Sequence, residues 1–525
     1  MNILEAIAGN RSYSLSSLVK CSCGGSHVED EHWKFVSEMP QDPIDLIDDF
    51  VEMGLYSDPS LSFGESLSHA EMKADLIALA LGGTPEQKQI CGDLIGLAGG
   101  VEEALAAAFG PYATEFMSDA IRASHFRRRD FLIKVAAAAA VVTLTGCPSQ
   151  ETTQAPQPAT GKLEKSGPLS VGFISISCAS PLIMAQAKDF YKKHGLEVNL
   201  VKMKGWPAVR DSIIAGELDA YHMLSPMPIA MTVGLGSVPT SVKLACVQNN
   251  NGDTLVLANK HKGKVKGPAD FKGLEIGVPF VFSIHNLLLR YYVATGGLNP
   301  DKDLKIIPMP PPEAISKMTV GQIDGFLLPN SVAQVAITAR KIGFLHLLSK
   351  DLWSGHPCCA FGASQKWIDA HPNTFRALTT AVVEGSAYAN DFNNREEVAQ
   401  VLAKPEFLGI PEPALKAALT GQFDDGLGNK VNAPDSVLFE PFPWQSFAKW
   451  IMSQMVRWRQ MPKEQADYDK LAQQIYLTDL VRDVSKGLGL NPPAEGTRVE
   501  KLKFDTFDPA NPEAYIQAQI AKFKV

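Results

Sequence analysis

Thiols and imidazoles fall close enough together to share chemistry at two places in the chain. Cys21-x-Cys23-x3-His27-x4-His32 supplies two sulfurs and two ring nitrogens, the donor set of a tetrahedral zinc site. Its C-x-C spacing is tighter than the usual C-x2–4-C, and chance clusters of this kind are common. Cys21, Cys23, His27 and His32 therefore stand as metal candidates, and no metal site is assigned from them. His356-Pro357-Cys358-Cys359 sets a base beside two thiols. Three residues of separation on what reads as a loop is thin support for a nucleophile–base pair. No G-x-S-x-G, H-E-x-x-H, Walker or Rossmann pattern accompanies it. An enzyme is not expected, and neither is a cofactor.

A further thiol, Cys147, closes the stretch Phe126–Cys147, FRRRDFLIKVAAAAAVVTLTGC. Arg127, Arg128 and Arg129 precede an apolar run from Val135 to Leu144, and Leu144-Thr145-Gly146-Cys147 follows. That run is about half the ~20 residues a spanning helix needs, so it reads as an export signal whose charged end stays inside. RRDFLIK resembles the twin-arginine export motif, and LTGC resembles a lipobox, whose cysteine is acylated. The expected location is the outer face of the cytoplasmic membrane (the periplasm), with Cys147 as the lipidated anchor.

These residues divide the chain. Residues 1–116 carry helical apolar spacing at Ile44–Met53 and Ala70–Leu81 and an alanine-rich run at Gly99–Phe109. They read either as a small acidic helical region or as the product of a start-site error, with Met117 as the true start. Residues 117–147 are the signal. Residues 148–167 are rich in Pro, Thr and Gln and suit a flexible tether. A net charge of −8 over 525 residues argues against a nucleic-acid surface. Eight scattered cysteines are too few for a disulfide scaffold.

From Leu169 the pattern alternates strand and helix, so the expected class is α/β with a mostly parallel sheet. LSVGFISI, LEVNLVKM and ELDAYHML read as strands, with helices over Pro181–His194 and Trp206–Ala215 closed by Gly195 and Gly216. A second block repeats the scheme. Strands at Leu274–Pro279, Leu304–Met309 and QIDGFLL separate helices at Ile284–Ala294 and Pro311–Val320. Each block carries a G-x-[LI]-D turn, Gly216–Asp219 and Gly321–Asp324. Two such lobes would face one another across a cleft, a favoured place for a small-ligand site. From Asn373 the chain reads as mainly helical, and Trp444, Phe447, Ile451, Met455 and Trp458 form a packing stripe.

GFISISCASPLIMAQAKDFYKKHGLEVNL and GWPAVRDSIIAGELDAYHMLSPMPIAMTVGLG resemble the nitrate/bicarbonate-binding proteins of ABC importers. So do HNLLLRYYVATGGLNP, LFEPFPWQSFAKWIMSQMVRW and VEKLKFDTFDPANPEAYIQ. The similarity spans roughly Pro168–Val525, and the wider superfamily includes thiamine-precursor binders. It implies a two-lobed type II periplasmic-binding fold. Residues 168–265 and 366–525 would form lobe I with a helical C-terminal extension, and residues 266–365 lobe II. Hinge crossings would lie near Lys260–Phe271 and Phe361–Trp367. It also implies capture of a small ligand in the interlobe cleft and delivery to an ABC permease and its ATPase. A ligand sensor for a regulatory partner is the alternative.

The resemblance implies that Trp206 packs against the ligand and that His285, at a helix start, contacts it where free N–H groups suit an anion. His222, at a strand's C-terminal end, is also well placed. Several positions depart from the nitrate pattern. Asn251-Gly252-Asp253 puts a carboxylate where the family has a neutral donor. His356-Pro357-Cys358-Cys359 lacks the family's lysine, and Leu328-Pro329-Asn330-Ser331 replaces G-E-P-W. Losing a cation and gaining an anion each weaken a monovalent anion by about 1–3 kcal/mol, so nitrate fits poorly. Two alternatives remain open. One is a neutral or cationic solute such as a pyrimidine. The other is a soft or borderline metal held by Cys178, Cys359, His222, His285 and Asp253, against the commoner role of buried cysteine as a small hydrophobe.

Overall fold

Apolar residues at Leu169, Val171 and Phe173 bury one face of the first strand, and Gly172 on the opposite face is buried as well, as expected for a strand covered by helices on either side. A computed structural model describes residues 162–165 and 167–525. Residues 153–233 and 240–525 form one compact unit, which contains every strand of both main sheets. The helical region at 1–116, the signal, Cys147 and the Cys21/Cys23/His27/His32 cluster lie outside the described residues, as does most of the tether.

The first block forms β1 (Leu169–Phe173), α1 (Ser180–Ala187), β2 (Val198–Lys202), α2 (Trp206–Ala215), β3 (Ala220–Leu224) and β4 (Val242–Asn251). The second forms β5 (Asp253–Ala258), β6 (Glu275–Val278), α3 (Ile284–Thr295), β7 (Lys305–Pro308), α4 (Pro311–Thr319), β8 (Gly325–Pro329) and β9 (Gly343–Leu348). The chain then returns through β10 (Pro357–Ser364). In the first sheet the order is β2-β1-β3-β10-β4, with the short strand Val437–Leu438 on the outer edge of β4. In the second it is β7-β6-β8-β5-β9. Each sheet has a parallel βαβαβ trio and one antiparallel strand contributed by the far side of a crossing.

The internal repeat has a common physical job. Asp219 accepts from the Ser170 backbone N–H at 2.8 Å, and Asp324 accepts from the Glu275 N–H at 2.8 Å. Each carboxylate thus pins the first strand of its own parallel trio, β1 or β6, and each pairs with a lysine, Lys165 or Lys260.

The crossings differ in position from the sequence expectation. β5 pairs with β8 and β9, so the chain changes sheet at Gly252, well before residue 265. It returns between Leu348 and Pro357 rather than at 361–367. The strand-like run from Val242 to Ala258 conceals the first crossing because one residue suffices for it. Gly252 adopts φ +91°, a left-handed backbone that side chains rarely tolerate, and a Cβ there would sit 2.7 Å from Asn249 Nδ2. The expected helix Pro181–His194 is also interrupted. α1 ends at Ala187 and a short turn of helix spans Phe190–Lys193, with Asp189 at φ 56° between them.

The C-terminal stripe packs as its spacing predicts. Phe447, Ile451 and Met455 are fully buried on a long helix, α5 (Gln445–Arg457). This helix buttresses the second crossing. Trp353 packs against Trp450 at 4.5 Å between ring centroids and against Phe447 at 5.7 Å, and donates to Glu500 at 3.1 Å. Two small hairpins, Gln422–Asp424 with Lys430–Asn432 and Glu500–Lys501 with Thr506–Phe507, interrupt the mainly helical run. Among the described residues no helix is long and apolar enough to cross a membrane.

Candidate functional site

Five polar side chains converge where the two crossings run side by side. Asp253 is the first residue of β5, in the second sheet, and His285 sits in the first turn of α3, whose start is capped by Ser283 accepting from Asn286 N–H. Cys358 and Cys359 lie near the start of β10 in the first sheet, and Cys178 lies in the turn that follows β1. Each lobe therefore supplies part of the cluster.

The distances are those of direct contact. Asp253 Oδ1 is 2.9 Å from His285 Nε2, and the Cys358 thiol donates to the same oxygen at 3.3 Å. Cys358 Sγ is 4.0 Å from His285 Nε2, 3.8 Å from Cys359 Sγ and 4.0 Å from Cys178 Sγ. His356 Nε2 approaches Asp253 Oδ2 at 4.0 Å. All six residues are buried, and the cysteines are free thiols.

Three asparagines knit the crossings beneath this cluster. Asn249 Oδ1 accepts from the Cys359 backbone N–H at 3.2 Å, and Asn251 Oδ1 accepts from Gly355 N–H at 2.8 Å. Asn250 Oδ1 accepts from Glu440 N–H at 3.1 Å. Ser349 Oγ accepts from the Asp253 N–H at 3.2 Å. The Ser177 and Ser331 hydroxyls, one from each lobe, meet at 3.0 Å.

Buried polar atoms without partners gather in the same region. Among the described residues Asp253 Oδ2, His285 Nδ1 and His356 Nε2 have no hydrogen-bond partner, nor do Trp206 Nε1 and His222 Nε2. Burial draws the His356 imidazole down to about 4, opposed by the charge of Asp253, and draws His222 down to about 3. Burial also pushes the Cys358 and Cys359 thiols up, whereas Cys178, facing both of them, is drawn down to about 6.

Of the residues singled out in the sequence, Cys178, Asp253, His285 and Cys359 fall in this cluster. Trp206 and His222 form a second group within the first lobe. Their rings meet edge to face at 5.3 Å, and His222 Nδ1 accepts from Ile174 N–H at 3.4 Å. Cys358 is left out of the metal-ligand set suggested by the sequence, yet it is the thiol that touches Asp253, His285 and both other sulfurs. Strand alternation could have found it, since Cys358 and Cys359 must point to opposite sides of β10 unless the strand is irregular. The pairing of β10 with β4 does shift register between Cys359 and Ala360.

Comparison with known proteins agrees with this architecture. The NMT1-like family matches residues 162–403. The nitrate/nitrite binding protein NrtA of Nostoc sp. strain PCC 7120 is 31% identical over 438 residues, 75% of this chain and 98% of that protein. The chain belongs to the nitrate/bicarbonate-type substrate-binding proteins of ABC importers. The crystal structure of the periplasmic nitrate-binding protein NrtA from Synechocystis PCC 6803 superposes on this binding protein with a TM-score of 0.64 at 26% identity. The match covers 67% of this chain and 98% of that one. The nitrate import ATP-binding protein NrtC of Synechocystis sp. strain PCC 6803 is also 31% identical, over 372 residues. This binding protein spans about half the length of that relative, 54%.

Proposed function

We propose that this binding protein captures a small ligand between its lobes for an ABC permease and its ATPase, without catalysis, and that the ligand is not nitrate. The observation that carries the reading is Asp253. A carboxylate is buried at the crossing, and its ion-pair partners among the described residues are two imidazoles, His285 and His356, with no lysine or arginine. A bare monovalent anion entering such a site meets like charge in a poorly solvated space, whereas a neutral or cationic ligand does not. Trp206 and His222, ring against ring in the first lobe, are proposed as an aromatic wall for such a ligand.

Isothermal titration of the full chain tests this. Nitrate, nitrite and bicarbonate give no saturable heat, and a micromolar nitrate isotherm from folded protein would overturn the assignment. Closure follows from small-angle scattering. The ligand that binds compacts the protein, because the lobes hinge about Gly252 and the 349–356 segment.

Export, and anchorage through acylated Cys147, belong to the same proposal. RRDFLIK and LTGC motivate them, and the periplasmic location named for the Synechocystis relative supports export. Radiolabelled palmitate incorporated by the wild type and lost in Cys147→Ala is the expected result. Label absent from both would remove the anchor.

A further inference from the structure

The sulfur cluster at the crossing is built like a metal site. Two donor groups, Cys178/Cys358/Cys359 and Asp253/His285/Cys358, each have all three ligand atoms within 4.8 Å of one another, and every residue in them is buried. A tetrahedral Zn2+ with bonds of about 2.3 Å to sulfur and about 2.0–2.1 Å to nitrogen or oxygen sets its ligand atoms at roughly 3.4–3.6 Å for mixed pairs and roughly 3.8 Å for two sulfurs. The mixed separations here are 2.9, 3.3 and 4.0 Å, and the sulfur pairs sit at 3.8 and 4.0 Å. The donors lie within about half an ångström of ligand spacing.

Charge points the same way. Asp253 brings one negative charge into a buried site with no lysine or arginine as ion-pair partner among the described residues. One of its oxygens, Oδ2, has no hydrogen-bond partner. A divalent cation held by the Asp253 carboxylate, the Cys358 thiolate and neutral His285 is electrically neutral. Each thiol that ligates gives its S–H proton to solvent as its metal–sulfur bond forms, one from Cys358 and a second from the cysteine that completes the set, and no electrons are transferred.

We propose that the ligand of the interlobe site is a borderline or soft transition-metal ion, Zn2+ in the first instance, held by Asp253, His285 and Cys358, with Cys178 or Cys359 as fourth ligand. The donor types select this class. Thiolate and imidazole suit zinc and copper, and their softness disfavours the oxygen-seeking Mg2+ and Ca2+. The inference deepens the solute-binding reading and rests on it. Two lobes contribute donors, so an ion bound here would also hold the lobes together.

The test uses the full chain, stripped with chelator, titrated with Co2+ as a coloured substitute and then with Zn2+ in competition. The expected result is a sulfur-to-cobalt charge-transfer band saturating at one ion per chain, bleached by Zn2+, with compaction in small-angle scattering. Cys358→Ser abolishes the band. Asp253→Asn weakens binding by more than the ~10–100-fold typical of a lost outer-shell partner. Cys246→Ser, a buried cysteine whose neighbour is Gln248, leaves the band unchanged. Circular dichroism checks that each variant is folded, and Cys178→Ala gives a second reading of the sulfur set if Cys358→Ser does not fold. No band from folded wild type overturns the proposal. So does a band that survives Cys358→Ser, since the metal would then sit on other thiols. In either case compaction on adding a pyrimidine would leave the solute-binding reading intact, and no compaction with any ligand would end that reading as well.

Discussion

Gly252 is the residue on which the crossing and the site depend together, and Gly252→Ala probes both. The backbone there sits at φ +91°, where a Cβ is strained by about 1–2 kcal/mol. The new methyl would lie 2.7 Å from Asn249 Nδ2 and 3.1 Å from Val437 Cγ2, so the Asn249 side chain must move. That side chain donates to Asn251 O at 2.9 Å and accepts from Cys359 N–H at 3.2 Å, two bonds worth about 1 kcal/mol each. Losing them with the backbone strain costs about 3 kcal/mol. At the lower end of the usual conversion, about 2 °C per kcal/mol for domains this large or smaller, the thermal midpoint falls by about 6 °C. Differential scanning calorimetry of wild type and variant, each shown folded at 20–25 °C (roughly the reference temperature of these energies), measures it. Because Asn249 holds the Cys359 backbone, ligand affinity falls in the same variant. A midpoint within about 1 °C of wild type would refute the claim that this glycine is required at the crossing.

One buried and one half-buried imidazole should make the protein acid-sensitive. Burial holds His222 near 3 and His346 near 4, while in the unfolded chain both take a proton near 6.5. As pH falls below about 6.5 the unfolded state binds protons that the native state refuses, so stability declines down to the folded values. At pH 5 each costs about 2 kcal/mol, read as a falling thermal midpoint. His222→Gln and His346→Gln flatten that slope, and an unchanged slope in both would exclude these groups as its source. The repeated aspartates should behave alike. Asp219→Asn and Asp324→Asn each remove a charge-assisted bond to a strand N–H and a lysine contact, costing about 1.5–3 kcal/mol by thermal or urea unfolding. A loss at one position and none at the other would break the equivalence of the two turns.

Much of the fold is legible in the sequence because its signals are local. Period-two and 3.6-period patterns locate β1 through β3 and β6 through β8 within about three residues, and the stripe from Trp444 to Trp458 marks the packing face of α5. The G-x-[LI]-D turns announce the repeat, although their role as strand pins requires coordinates. What is not legible depends on which strands pair. β4 and β5 are separated by one residue, and that single glycine between Asn251 and Asp253 moves the chain from one sheet to the other. β10 is a strand of the first sheet made by chain returning from the second, a non-local pairing with no local signature. The site residues follow the same division. Asp253 and His285 stand out through types that depart from or match the family pattern. Cys358 looks like ordinary small packing until β10 is set beside β4 and its sulfur meets the residues of the other lobe.

That arrangement explains how capture could be coupled to movement. A ligand shifts a conformational equilibrium only through interactions that differ between the two states. Asp253 and His285 belong to the second lobe, whereas Cys358 and Cys178 belong to the first. A ligand seated first on the Asp253–His285 pair gains its sulfur contacts only when the first lobe arrives. The difference in contacts between open and closed states is then the free energy that drives closure. The C-terminal buttress, with Trp353 wedged against Trp450 and Phe447, keeps the pivot in register while the lobes move. Asp253 Oδ2 and His285 Nδ1, both buried without a hydrogen-bond partner, belong to groups that a bound ligand would compensate.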